Sequence, residues 1–222
     1  MSVVRKDSDV RYVDFPQDQH EALRGFHSAL RRVMAAHGVV HPTNERLSAL
    51  TQELNAIADE LDELPKGRPF QRFVKGIPED NPNRALPFSP VTGEYSAVSM
   101  PMKLSVEGNK IVGIGVFNEV YEGPNGCIHG GMVAAIYDEI LALANVVSDV
   151  AGPTVSLHVD YKAPTPLHRE LRFEGWTESN EGRRTITRGR CLLDGKVISE
   201  AEGVFIRLDP NRVYPQWTNQ KK

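Results

Sequence analysis

The stretch Gly126–Val147, GCIHGGMVAAIYDEILALANVV, decides how this chain folds. Beyond Met132 it is apolar on every side of a helix, which predicts a helix from about Gly130 to Val147 buried in a core. Asp138 and Glu139 nevertheless stand in its middle. A carboxylate in apolar surroundings is costly unless something pairs with it. Aspartate is also a poor helix former, so two independent penalties fall on Asp138, which is expected to be buried. His158, Arg188 and Arg190 are structural partners that the chain offers it. Glu139 lies about 100° further round the helix and is the candidate for an ordinary salt bridge.

The start of the helix has its own chemistry. Gly130 and Gly131 leave backbone N–H groups unobstructed where the first turn lacks intrahelical partners. With the helix dipole these donors suit an anion or a developing oxyanion. His129 precedes them and is placed to orient the turn or to contact a ligand. A tight turn without further purpose is the bland alternative. An oxyanion donor together with a desolvated carboxylate is the minimum equipment for attack on an activated acyl group, with the carboxylate as nucleophile or as base for a water.

Working outward, residues 102–117 (MKLSVEGNKIVGIGVF) hold two short strand-like runs around a Glu-Gly-Asn turn. After the helix come four more strand candidates: TVSLHVDY from Thr154, ELRFEGWTE from Glu170, RTITRGRCLL from Arg184 and KVISEAEGVFIRL from Lys196. The last two meet at Asp194-Gly195, a strong hairpin signal. The order predicts an α+β fold, an antiparallel sheet wrapped around one long central helix. Ahead of it, residues 17–38 carry Leu23, Phe26, Leu30 and Val33 at helical spacing with Gly38 as the stop. A second helix follows Thr43, its cap, with Leu47, Leu50, Leu54, Ile57, Leu61 and Leu64 in one narrow stripe fit to pack on a single partner helix. Proline and glycine then crowd a stretch without periodicity. The expected organisation is a helical hairpin extension over 1–65, a linker or wrapping arm over 66–94, the sheet domain over 95–210 and a tail over 211–222.

Bulk properties narrow the partners. A net charge of −3 gives no general attraction to nucleic acid or anionic lipid. The opening MSVVRKDSDV has no apolar h-region, and Asp138 and Glu139 interrupt the longest apolar run, so neither a signal peptide nor a membrane span is expected. Cys127 and Cys191 are far apart and in no CxxC spacing, as suits a reducing cytoplasm, the expected location.

The segment GCIHGGMVAAIYDEILALA, followed by PTVSLHVDYKAPTP, resembles the hotdog-fold acyl-CoA thioesterases, in particular the phenylacetate-pathway and 4-hydroxybenzoyl-CoA type with His-Gly-Gly on the central helix. The resemblance covers roughly Ser96 to Leu208 and rests on spacing: His-Gly-Gly, then Asp138, then a hydroxyl residue opening the next strand. It implies a hotdog fold and hydrolysis of an acyl-CoA thioester to free acid and CoA. It places the N–H that polarises the thioester carbonyl on Gly130, the nucleophile or general base on Asp138, and the assisting hydroxyl on Thr154. One departure concerns the Asn that many relatives carry six residues before the motif His. Gly123 stands there, and Asn125 is displaced by two. The resemblance further implies a homodimer or a dimer of dimers with sites at the dimer interface. Spacing agrees: eight residues of helix between Gly130 and Asp138 rise about 12 Å, whereas an attacking group must come within about 3–3.5 Å of its carbonyl carbon. Two antiparallel helices across a twofold axis can lend each other the missing group.

His129, His158 and His168 with Asp138 do not show metal-ligand spacing, so neither a metal nor a cofactor is expected beyond the CoA of the substrate itself. Gly131, Asn125 and Tyr137 are candidates for substrate contact, with Met132 and Ile136 beside Tyr137 in the core or along an acyl tunnel. Lys162 and Arg169, with Arg183 and Arg184, lie near strand ends where CoA phosphates would dock. Two rivals use the same scaffold: a non-catalytic acyl-CoA-binding protein, and a hydratase or dehydratase with a His as proton shuttle.

Overall fold

A computed structural model of the chain describes residues 12–13, 19–64, 68–69, 77–78 and 81–207. The chain forms two compact units, Met1–Arg72 and Phe73–Lys222. The expected tail and most of the expected linker up to residue 80 lie outside the described residues.

In the first unit, α1 spans Gln19–His37 and α2 spans Asn44–Glu63. The Thr43 side chain caps α2 by accepting from the Arg46 N–H at 3.3 Å. The stripe suited to a partner helix is open in the single chain: neither helix buries a residue, and Leu54 and Ile57 are each 46% exposed.

In the second unit, β1 (Met102–Glu107), β2 (Lys110–Val116), α3 (Gly130–Val147), β3 (Thr154–Tyr161), β4 (Glu170–Glu181), β5 (Arg184–Leu193) and β6 (Lys196–Ile206) follow in order. The six strands form one antiparallel sheet in the order β1-β2-β4-β5-β6-β3, so β1 and β3 are its edges. The β5–β6 turn is made by Asp194 (φ 51°) and Gly195 (φ 77°), both left-handed, as a tight hairpin requires.

The sheet curls around α3, and small residues make the fit possible. Gly175 of β4 pairs with Gly189 of β5, which pairs with Ala201 of β6, so one row across the sheet is nearly bare. A Cβ on Gly175 would stand 2.7 Å from the Ile140 side chain, and one on Gly189 would stand 3.0 Å from Leu141. Val133, Ile136, Tyr137, Ile140, Leu141 and Leu143 of α3 are buried, and at roughly 1.5–3 kcal/mol each they contribute on the order of 10 kcal/mol. By length and apolar composition α3 would pass for a membrane span, contrary to the sequence expectation. Its apolar residues are instead spent on the sheet.

The compact unit begins ahead of the predicted boundary at residue 95, because the segment before it is docked. Asn83, in a short 3-10 turn (Pro82–Ala85), donates to the Met102 and Thr92 carbonyls and accepts from the Leu104 N–H, at 2.9, 2.9 and 3.0 Å. These bonds occupy the β1 edge. Ser89 and Thr92 then hydrogen-bond to Glu139 of α3.

Candidate active site

The loop before α3 sets the site. Asn125-Gly126, with Gly126 at φ 73°, turns the chain back so that Glu122 bridges Ile128. Gly126 N–H is held by the Glu122 carboxylate at 2.6 Å. His129 then caps α3: its Nδ1 accepts from the Gly131 N–H at 3.0 Å, and its carbonyl accepts from Met132 and Val133 at 2.9 and 3.2 Å. One of the two predicted glycine donors is thus consumed by the preceding side chain. The Gly130 N–H has no partner among the described residues and remains available. Its carbonyl accepts from the Tyr161 hydroxyl at 2.6 Å.

Further along α3 the two acids part. Asp138 is exposed, not buried as its neighbours implied, and its Oδ1 accepts from Thr154 Oγ1 at 2.7 Å. Glu139 is the half-buried acid, and burial pushes its carboxyl above the usual range despite the Ser89 and Thr92 hydroxyls that favour its charged form. A step of 100° explains the exchange: Glu139 faces the docked segment, while Asp138 faces the flank beside edge strand β3. The cationic partners proposed for Asp138 are engaged elsewhere, Arg188 with Glu202 at 2.8 Å and Arg190 with Glu174 at 2.9 Å.

Other candidates are dispersed. Tyr137 is fully buried in the core, with its hydroxyl 2.8 Å from Ser199 Oγ and its ring edge-on to Phe173. Lys162 and Arg169 are half-exposed and ion-paired with Glu200 and Asp194, which leaves neither charge free for a phosphate in this state. Asn125 is exposed on the turn before the helix. A side chain at Gly123 would meet the His129 Cα at 2.7 Å, so this loop cannot seat an Asn there without moving the helix cap. His158 pairs with Asp160 and His168 with Glu119. Tyr161, which bonds the helix start, carries no sequence signal of that contact, being the last residue of an ordinary strand pattern.

The arrangement is therefore a helix N-terminus with one open N–H, a hydroxyl-held carboxylate two turns on, and an edge strand touching both. The sequence model of the thioesterase superfamily matches residues 125–190, the span holding Gly130, Asp138, Thr154 and Tyr161. A thioesterase superfamily protein of known crystal structure is 30% identical, with a TM-score of 0.73, over 83% of this chain and 94% of that one. This chain belongs to the thioesterase superfamily. Among curated relatives, acyl-coenzyme A thioesterase THEM4 of Xenopus laevis is 35% identical over 93 residues, 40% of this chain. The Rattus norvegicus THEM4 is 33% identical over 95 residues. The superfamily chain spans only 41% and 40% of the length of these two relatives.

Proposed function

We propose that this chain hydrolyses an acyl-CoA thioester at a site shared by two copies. The observation that carries the reading is the separation of two complementary groups on one flank of one helix. The free Gly130 N–H and the Thr154-held Asp138 carboxylate lie eight residues apart, about 12 Å of rise. That flank suits a second copy of itself. Gly131, Ala135 and Ala142 line it with Asp138, a surface of small side chains. The adjoining edge strand β3 exposes Val155 (59%) and Tyr161 (50%), and no strand among the described residues pairs with its outer side. Two such flanks across a twofold axis bring each Asp138 to the other helix's start.

In that arrangement the thioester carbonyl oxygen accepts from the Gly130 N–H of one protomer. The other protomer's Thr154 donates its hydroxyl hydrogen bond to the ionised Asp138 at Oδ1, and its oxygen lone pairs hold a water beside the remaining carboxylate oxygen. Asp138 takes a proton from that water as its oxygen bonds to the carbonyl carbon. The negative charge moves onto the carbonyl oxygen at Gly130, where one donor is typically worth about 3 kcal/mol. Re-forming the carbonyl breaks the carbon–sulfur bond, and the proton held by Asp138 passes to the departing CoA sulfur.

The test is a panel of hexanoyl-, palmitoyl- and phenylacetyl-CoA with free thiol as readout, run on wild type, Asp138→Asn and Glu139→Gln. Wild type should release thiol from at least one of them. Asp138→Asn should lose at least a hundredfold in kcat, roughly the weight of a general base, and Glu139→Gln far less. Activity surviving in Asp138→Asn, or the opposite ranking, contradicts the reading. One turnover in 18O-water separates base from nucleophile: label in the first acid released supports the water mechanism, and unlabelled acid assigns covalent attack by Asp138.

A further inference from the structure

Gly130 must aim its N–H along one direction, yet glycine has the widest backbone freedom of any residue. Both peptide planes that meet at its Cα are held. The preceding plane is fixed through the His129 carbonyl, which accepts from two helix N–H groups. Accepting two bonds also polarises that peptide and makes its own N–H, that of Gly130, a better donor. The following plane is gripped at both ends. Its N–H, on Gly131, donates to His129 Nδ1 at 3.0 Å, and its carbonyl, on Gly130, accepts from Tyr161 at 2.6 Å.

The Tyr161 bond differs from the others because it comes from the sheet. Half of Tyr161 is exposed, yet its hydroxyl turns back to the helix. The ring lies against the glycine: a Cβ on Gly130 would be 3.5 Å from the phenol oxygen. Tyr161 ends the strand that Thr154 begins, so β3 touches α3 at the oxyanion donor with one end and at the carboxylate with the other. Partial burial shifts the phenol above its ordinary range, in the direction that favours the protonated, donating form.

We infer that Tyr161 is a positioning residue for the oxyanion donor, locking the peptide after Gly130 so that the Gly130 N–H keeps its aim as charge develops. The inference rests on the hydrolytic reading above. It does not make Tyr161 a proton donor to substrate.

Tyr161→Phe removes the hydroxyl and keeps the ring. With the acyl-CoA that wild type turns over fastest, kcat should fall about tenfold, part of what loss of a whole oxyanion donor costs. KM should stay within about twofold, since aim matters most in the transition state. Amide exchange followed by NMR needs no substrate, and there the Gly131 N–H should exchange several-fold faster while the sheet amides are unchanged. Wild-type kcat, or unchanged Gly131 exchange, overturns the inference. So does a loss shared with KM and melting temperature, which is the mark of general loosening. Asp138→Asn in the same series separates the two claims. If it is dead while Tyr161→Phe is fully active, only the positioning role falls. If it is active, the hydrolytic reading falls whatever Tyr161→Phe does.

Discussion

Thr154→Val tests the link between edge strand and carboxylate with little collateral change. Valine has nearly the same volume and suits a strand, so the substitution deletes one hydroxyl and a single 2.7 Å hydrogen bond to Asp138 Oδ1. Thr154 is half-buried and Asp138 exposed, so the carboxylate that loses its partner can turn to water and stability should change by less than about 1 kcal/mol. The catalytic effect should be larger. A hydrogen bond to a charged group is worth roughly 1.5–3 kcal/mol, and about 1.4 kcal/mol of barrier is tenfold in rate. The expected loss in kcat is therefore about tenfold to a hundredfold. KM should move little, because the proposed role of Thr154 is toward the attacking water and not toward the CoA moiety. Steady-state thiol release gives both constants, and a denaturant melt confirms the fold. The double variant Thr154→Val/Asp138→Asn should be no worse than Asp138→Asn alone, since both changes act on one proton transfer. Wild-type kcat in folded Thr154→Val, or full additivity in the double variant, refutes the reasoning.

Two further expectations concern stability. Asn83→Ala removes three bonds to backbone groups of the β1 edge and its docked segment, so it should cost about 3 kcal/mol in a urea melt; a cost below about 1 kcal/mol would show that segment to be loosely held. Glu174 lies buried among Arg172, Arg190 and Lys110, and although burial opposes its charge, the arginine hydrogen bonds hold its pKa at about 2 against 4.5. Its folded pKa is depressed, so its contribution of roughly 3 kcal/mol is present above pH 4.5 and is lost as pH falls toward about 2. Glu174→Gln should be less stable than wild type at neutral pH by a comparable amount, and the two should converge across that window; parallel acid profiles would contradict the assignment.

The elements were legible in the sequence because each carries a local signal. Thr43 caps its helix, Asp194-Gly195 closes its hairpin in left-handed geometry, and α3 begins and ends at the predicted residues. What escaped was set by contacts between segments distant in sequence. Asp138 and Glu139 look alike in an apolar run, and only packing decides that Glu139 meets Ser89 and Thr92 while Asp138 faces an open flank. The docking of residues 81–100 depends on side chains such as Asn83 bonding to backbone, which leaves no periodicity to read. Tyr161 was hidden for a similar reason: its place in TVSLHVDY is an ordinary strand position, and its significance is the Gly130 carbonyl 31 residues away. The glycine bed under α3 could have been found by aligning Gly175, Gly189 and Ala201 across the hairpins, a register that the turns specify.

The central claim is that one protomer supplies the oxyanion donor and its partner the carboxylate, and mixing two inactive variants tests it most directly. Asp138→Asn removes the carboxylate's basicity. Gly130→Pro removes the N–H at the first helical position, where proline is tolerated and where His129, at ψ 130°, already has the backbone that proline requires before it. Each homodimer should be nearly inactive while remaining folded and dimeric. A heterodimer contains one site with both groups intact and one with neither, so random exchange of equal amounts should restore roughly a quarter of wild-type activity under twofold pairing. Recovery near that level is the predicted result. Verified heterodimers that stay as inactive as their parents would contradict the account and place the whole site within one chain.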